Sequence, residues 1–258
     1  WIFSLNCKGT SVMFMPITQG GHDIAVYHMP VSVFSGTQGM TKSGEFSTVS
    51  SSKVGTFSCW VDLTGNTSAG EYLVSSTVNA GANDTMYIYN DYFHIRLWND
   101  AANTLCLYLV TSTTTMTAAK GMQHVMANWD IGANSYSVYV DGAAQSFSTT
   151  TRNDQNAGWG SCDLTEVLQQ NANKFPGNVG DYWLDLGVNV DFTDATNREK
   201  FRSSGGKPVF LGADGSLPTG SAPDAFFSGD HAAYHTNKGS GGGMTEVGTI
   251  GDGGFYPA

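Results

Sequence analysis

Residues 124–142, HVMANWDIGANSYSVYVDG, pack two alternating segments, a short polar loop and an Asp-Gly turn into nineteen positions. Such a stretch commits the chain locally to antiparallel pairing. Val125, Ala127 and Trp129 alternate with Met126, Asn128 and Asp130. Tyr136, Val138 and Val140 then alternate with Ser137, Tyr139 and Asp141. A period of two places each apolar set on one face of a half-buried strand. Asp141-Gly142 between strand segments reads as a type I′ hairpin turn, which needs positive φ at both central residues.

The same period recurs. Phe57, Cys59, Val61 and Leu63 share a face, as do Phe93, Ile95 and Leu97, then Leu105, Leu107 and Leu109. Residues 182–192 alternate cleanly and are expected to form one long strand, with Gly187 as the place for a bulge. Two short helices are expected. One spans residues 163–170, capped by Asp163 with Glu166 completing a capping box, and the other spans residues 193–202, capped by Thr193. Charged residues are 13% of the chain, against about 25% in ordinary domains, and Gly contributes 32 positions. That composition suits twisted strands and many turns. The chain is therefore read as all-β. Residues 1–49 are taken as N-terminal edge strands and loops, and residues 50–202 as the sandwich core. Residues 203–258 are taken as a Gly/Pro-rich extension with short strands near 225–227 and 244–250. Val209, Phe210, Leu211, Phe226, Phe227 and Tyr234 would anchor that extension on the sandwich or on a neighbouring subunit.

A formal net charge of −10 with 12 Lys and Arg lacks the electrostatic footprint of a nucleic-acid binder. The 17 Asp outnumber the 5 Glu, as turn and cap chemistry favours, and no EF-hand loop pattern is present. No run of apolar residues is long enough to insert into a membrane. Trp1 stands where an initiator Met would, so the sequence leaves open what precedes it. Cys7, Cys59, Cys106 and Cys162 form no C-x-x-C pair, which argues against a zinc ribbon or a thioredoxin-type site. Cys59 falls on the inward side of its strand and Cys106 on the opposite side of its own; buried thiols are expected, and disulfides stay open.

Several residues together resemble the laminin-G-like branch of the concanavalin A-like jelly rolls. They are Thr56-Phe57-Ser58-Cys59-Trp60-Val61, His124-Val125 leading to Trp129-Asp130, Tyr139-Val140-Asp141-Gly142, and Phe175-Pro176-Gly177-Asn178-Val179-Gly180-Asp181 before a long strand. Coverage is roughly residues 50–202, and Met122-Gln123 stand where the family often has an aromatic before the His. The resemblance implies an antiparallel two-sheet jelly-roll sandwich with short helices. The segment from Asn197-Arg198-Glu199-Lys200-Phe201 through Gly206-Lys207-Pro208-Val209 to LGADGSLPTG at 211–220 resembles one that follows such domains in bacteriophage and prophage virion proteins. It implies a structural protein exposed on a virus particle, on tail, fibre or capsid, with other virion proteins as partners and a symmetric homo-oligomer.

Jelly rolls host enzymes, binding modules and spacers alike. Retaining glycoside hydrolysis needs two carboxyl groups about 5–5.5 Å apart. Glu45, Glu71, Glu166, Glu199 and Glu246 are isolated, and no E-x-D-x-x-E strand is present. No catalytic residue is assigned. His231 and His235 have i, i+4 spacing but lack the Glu of a zinc-protease helix, so no metal or other cofactor is assigned. His124 reads as a packed, hydrogen-bonded imidazole, for want of a partnered nucleophile. With Phe93, Ile95 and Leu97 inward, Tyr92, His94, Arg96 and Trp98 line the other side of their strand, and Trp60 faces outward by the same parity. These residues, with Asn99 and Asp100, form the expected glycan- or partner-binding face. The expectation is a non-enzymatic virion protein that contacts host-surface polysaccharide. A purely structural decoration or spacer protein is the first alternative, and a polysaccharide-degrading enzyme on the same fold is the second.

Overall fold

The computed structural model describes residues 15–19, 22–44, 52–65, 67–78, 82–99, 103–158 and 162–256. Two antiparallel sheets stack face to face, each with eight strands among the described residues. In the first sheet the spatial order is Ala143–Ala144, Ser135–Val140, Gln123–Asp130, Val54–Leu63, Pro176–Asp185, Met29–Ser35 and Gly251–Tyr256. The Pro176–Asp185 strand pairs with Met29–Ser35 through its first half and with Ala225–Phe227 through its second. In the second sheet the order is Phe147–Arg152, Thr104–Thr111, Tyr92–Asn99, Ala82–Tyr89, Glu71–Val78, Leu164–Val167, Gly39–Ser43 and Thr245–Val247.

The 124–142 stretch forms the hairpin its alternation demands. Trp129 pairs with Tyr136 and Val125 with Val140, and Asp141 and Gly142 turn the chain with φ of 51° and 80°. Asp141 also caps its neighbour, its Oδ1 accepting from His124 N at 2.9 Å, while Asp130 Oδ1 accepts from Ala133 N at 2.8 Å in the loop at the other end. Inward residues of both sheets meet in one core. Phe57 stacks on Phe93 across the sandwich at 6.3 Å and meets Tyr182 edge-on at 5.3 Å. Val61, Ile95, Leu97, Leu109, Val125, Trp129 and Leu184 fill the space around them, each side chain worth about 1.5–3 kcal/mol of transfer from water. Cys59, Cys106 and Cys162 are buried; Cys106 lies in this core rather than on the far side of its strand. Cys7 lies outside the described residues.

Three sequence expectations change. Residues 163–170 hold the strand Leu164–Val167, not a helix, because its backbone is paired on both sides, by Glu71–Val78 and by Gly39–Ser43. Glu166 makes no capping box; its carboxylate accepts from Asn171 N at 3.0 Å. The long strand ends at Asp185, since side chains take over the backbone donors beyond it. Asp224 Oδ2 accepts from Leu186 N and Thr56 Oγ1 from Val190 N, each at 2.8 Å. The helix after it is only Ala195–Glu199, capped by Asp194, which accepts from Thr196 N. Strands before residue 50 and after residue 202 join both sheets. Gly251–Tyr256 and Met29–Ser35 pair with each other in the first sheet, and Thr245–Val247 pairs with Gly39–Ser43 in the second.

Candidate functional site

The outer face of the second sheet carries rings from four adjacent strands. Tyr72 stacks on Tyr87 at 5.2 Å and Tyr87 on His94 at 4.5 Å, with Tyr108 beyond His94 at 6.1 Å. Strand register explains the row: Tyr72 pairs with Tyr87, and Tyr87 with His94. Tyr89 packs edge-on to His94 at 6.1 Å and is 41% exposed. It faces Tyr92 across a two-residue turn, Asn90-Asp91, in which both residues have positive φ. Next along the strand, Arg96 is exposed and its Cζ lies 4.8 Å over the Trp98 ring, a cation–π contact of about 0.5–1 kcal/mol at such a site. Trp98 N donates to Asp84 Oδ1 at 2.5 Å, which ties the strand end to its neighbour.

The rings of the row are uncharged, and Arg96 supplies a cation beside them. Burial lowers the His94 pKa to about 4, so the imidazole is uncharged at neutral pH. Burial raises Tyr72 and Tyr87, and for Tyr87 contact with Tyr108 adds to it, so both keep their hydroxyl protons. The face thus offers aromatic surface, hydroxyl donors and one guanidinium. His94 Nε2 and Trp98 Nε1 are buried and lack a hydrogen-bond partner among the described residues.

Of the residues expected here, Tyr92, His94, Arg96 and Trp98 do lie on one face, and Asn99 ends the same strand, paired with Thr104. Asp100 lies outside the described residues. Trp60 does not belong. It stands on the outer face of the first sheet, is 3% exposed and stacks on His124 at 4.4 Å. Outward parity was right for Trp60, but the chain covers that face itself. Tyr72, Tyr87, Tyr89 and Tyr108 complete the aromatic row and were not singled out. The alternations Tyr87-Ile88-Tyr89 and Leu107-Tyr108-Leu109 carried the signal, but only strand adjacency joins them to His94.

On the first sheet, Met126, Tyr139 and Trp183 face outward into a second core with Val190, Phe192, Phe201, Leu211 and Phe226. Trp183 Nε1 donates to Gly215 O at 2.8 Å. His124 is sealed beneath this layer, its Nε2 2.8 Å from Ser58 Oγ. Ser58 is thus a partner that sequence reasoning missed. No acid orients the pair: His124 Nδ1 has no partner among the described residues. Burial, then the Arg202 charge, hold His124 well below its usual pKa. Asp181 is likewise buried and held near pKa 6, with Tyr27 Oη donating to its carboxylate at 2.9 Å. His231 and His235 do not converge; they face Asp230 at 3.2 Å and Glu246 at 3.5 Å respectively. Among the described residues no group of His, Cys, Asp and Glu could hold a metal ion, and no helix is long and apolar enough to cross a membrane.

No protein-family model matches the sequence, and no curated protein matches it. Solved structures do. A Bacteroides ovatus protein described as carbohydrate binding superposes with a TM-score of 0.54 at 12% identity, over 94% of this chain and 66% of that one. A heptameric SAP-like pentraxin from Limulus polyphemus gives a TM-score of 0.47 at 14% identity, over 87% and 95% of the two chains. Domains LG4-5 of the mouse laminin alpha1 chain give 0.44 at 13% identity, over 69% of this chain and 48% of that one. Likeness at such identities establishes fold alone. The chain folds as an antiparallel two-sheet jelly-roll sandwich.

Proposed function

We propose that the chain is a non-enzymatic, glycan-binding sandwich displayed on the surface of a bacteriophage particle, and that it takes its glycan on the outer face of the second sheet. One observation carries the glycan reading. The row Tyr72, Tyr87, His94 and Tyr108, flanked by Tyr89 and by Trp98 under Arg96, is left uncovered by the extension that seals the equivalent face of the first sheet. Four strands about 4.8 Å apart spread that row over about 14 Å, a length suited to a short oligosaccharide. Aromatic rings stack on the C–H faces of sugars, while the Tyr hydroxyls and Arg96 donate to their oxygens, a mix of apolar area and few polar groups typical of ligand sites. The Bacteroides ovatus protein of the same fold, described as carbohydrate binding, supports the choice of ligand class. The particle context, its virion partners and a symmetric oligomer rest on the resemblance of residues 197–220 to virion proteins. The non-enzymatic reading draws support from Ser58 and His124, which are sealed from solvent with no acid behind them among the described residues.

Glycan-array binding by the intact chain tests the reading. Trp98→Ala and Tyr87→Ala should each weaken binding about tenfold or more, as truncated anchors do, with unchanged folding by circular dichroism. Binding that survives both substitutions, or the absence of any glycan ligand, would overturn it. A second reading is favoured by the same composition, since Tyr, Trp and Arg are enriched at protein interfaces. In that case sedimentation would show an oligomer that Trp98→Ala dissociates.

A further inference from the structure

The cations of this acidic chain are unevenly spread. Arg198, Lys200, Arg202 and Lys207, four of twelve, fall within ten residues that contain one acid, Glu199. Arg202 N donates to Arg198 O at 3.0 Å, so the two arginines stand one helical turn apart on the same side. That side meets the hairpin ending in Asp141-Gly142. Arg198 Cζ lies 4.6 Å over the Tyr139 ring, and its Nη1 donates to Phe192 O and Thr193 O at 2.5 and 3.0 Å. Arg202 is positioned by sterics instead. A Cβ at Gly142 would fall 2.8 Å from its Nη1, and one at Gly206 2.7 Å from its Nη2. Glycine at both turns leaves room for the guanidinium. Among the described residues neither arginine makes an ion pair, and Arg202 Nε is buried without a hydrogen-bond partner.

Between these side chains lies a recess of about 250 Å³, lined by Arg198, Glu199, Arg202, Ser203, Ser204 and Gly142 among others. We propose that this recess is a second ligand site, on the opposite sheet from the aromatic row, and that it takes an oxyanion, the carboxylate, sulfate or phosphate group of a ligand, on Arg202 with Arg198 and the two serines. A planar guanidinium fork matches such groups bidentately. The recess is far larger than the roughly 10–15 Å³ of such space that one water needs. An arginine placed only to pack would be ion-paired or capping carbonyls, as Arg198 is; Arg202 does neither. Glu199, exposed at the lining, competes with the anion and sets a modest affinity.

The test is a titration of the isotope-labelled intact chain with sodium phosphate, sodium sulfate and sodium glucuronate, at ionic strength held constant with sodium chloride and followed by NMR. Saturable shifts of the Arg202 side chain and the neighbouring His124 ring are expected, with a millimolar midpoint for at least one of the three. Tighter glucuronate binding would identify the source as an acidic saccharide, and tighter phosphate or sulfate binding as an inorganic or esterified oxyanion. Arg202→Gln should weaken binding about tenfold or more, Glu199→Gln should strengthen it a few-fold, and Trp98→Ala should leave it unchanged. Arg202→Lys keeps the charge without the fork and should bind more weakly than the natural chain even if the Gln variant does not fold. Shifts that never saturate, that chloride alone reproduces, or that persist at full strength in both Arg202 variants would overturn the proposal. Glycan-array binding is independent of this outcome, so the two sites fail separately.

Discussion

The two sheets present outer faces of similar composition that meet different ends. Each has a buried, uncharged histidine stacked on an aromatic ring, His124 on Trp60 and His94 on Tyr87. On the first sheet, residues from Val188 to Phe226 fold back over Met126, Tyr139 and Trp183 and turn the outer face into a second core. On the second sheet Tyr89 and Arg96 stay exposed, and Tyr72, Tyr87, Tyr92, Trp98 and Tyr108 half-exposed. An outward aromatic is therefore a statement about parity. Whether it meets solvent is decided by segments elsewhere in the chain: residues 190–226 cover Met126, Tyr139 and Trp183, and Met29, Val31 and Tyr256 pack with Trp60.

The sharpest way to break the comparison is a pair of tryptophan truncations. Trp183→Ala should lower stability by about 3–5 kcal/mol in chemical denaturation, as buried aromatics do. Trp98→Ala should cost under about 1 kcal/mol. Equal losses would mean the second face is not open.

A pH series should separate Asp181 from His94 by sign. Asp181 has its pKa raised from 3.8 to about 6, mainly by burial. The native state therefore binds its proton first, and this group adds stability as pH falls from 6 toward 4. His94, lowered from 6.5 to about 4, does the reverse. Its neutral form supports the fold above pH 6.5, and that support is lost as pH falls toward 4. Asp181→Asn should remove a gain on the order of 2 kcal/mol across that window, and His94→Gln a loss on the order of 1–2 kcal/mol. Unchanged pH slopes in both variants would show that neither group titrates as its burial requires. The smallest effect belongs to Tyr89→Ser, expected within about 0.5 kcal/mol of the natural chain in thermal denaturation while weakening glycan binding.

The hairpin at 124–142 was legible because every cue for it is local: alternation, loop length and the Asp-Gly turn. The Tyr92 to Trp98 face was half legible. Parity within one strand picked out His94, Arg96 and Trp98, but Tyr72, Tyr87 and Tyr108 join them only through register between strands. Trp60 misled for the same reason, since parity says nothing of which sheet a strand enters or what lies on top. Residues 163–170 carry helix-capping chemistry that two flanking strands override. Oxyanion recess residues such as Arg202 and Gly142 are sixty positions apart, and no sequence cue joined them.

The pairing of Met29–Ser35 with Gly251–Tyr256 has a consequence for biosynthesis. At about 5–20 residues per second, more than two hundred residues must be made after the early strand before its last partner emerges, a wait on the order of 10–40 seconds. Throughout that interval one hydrogen-bonding edge of a nascent sheet stands open, and such edges recruit other chains. Yield in the cell should therefore depend on how the edge is sheltered during translation, by a chaperone or by slow, dilute expression, as much as on the stability of the finished sandwich.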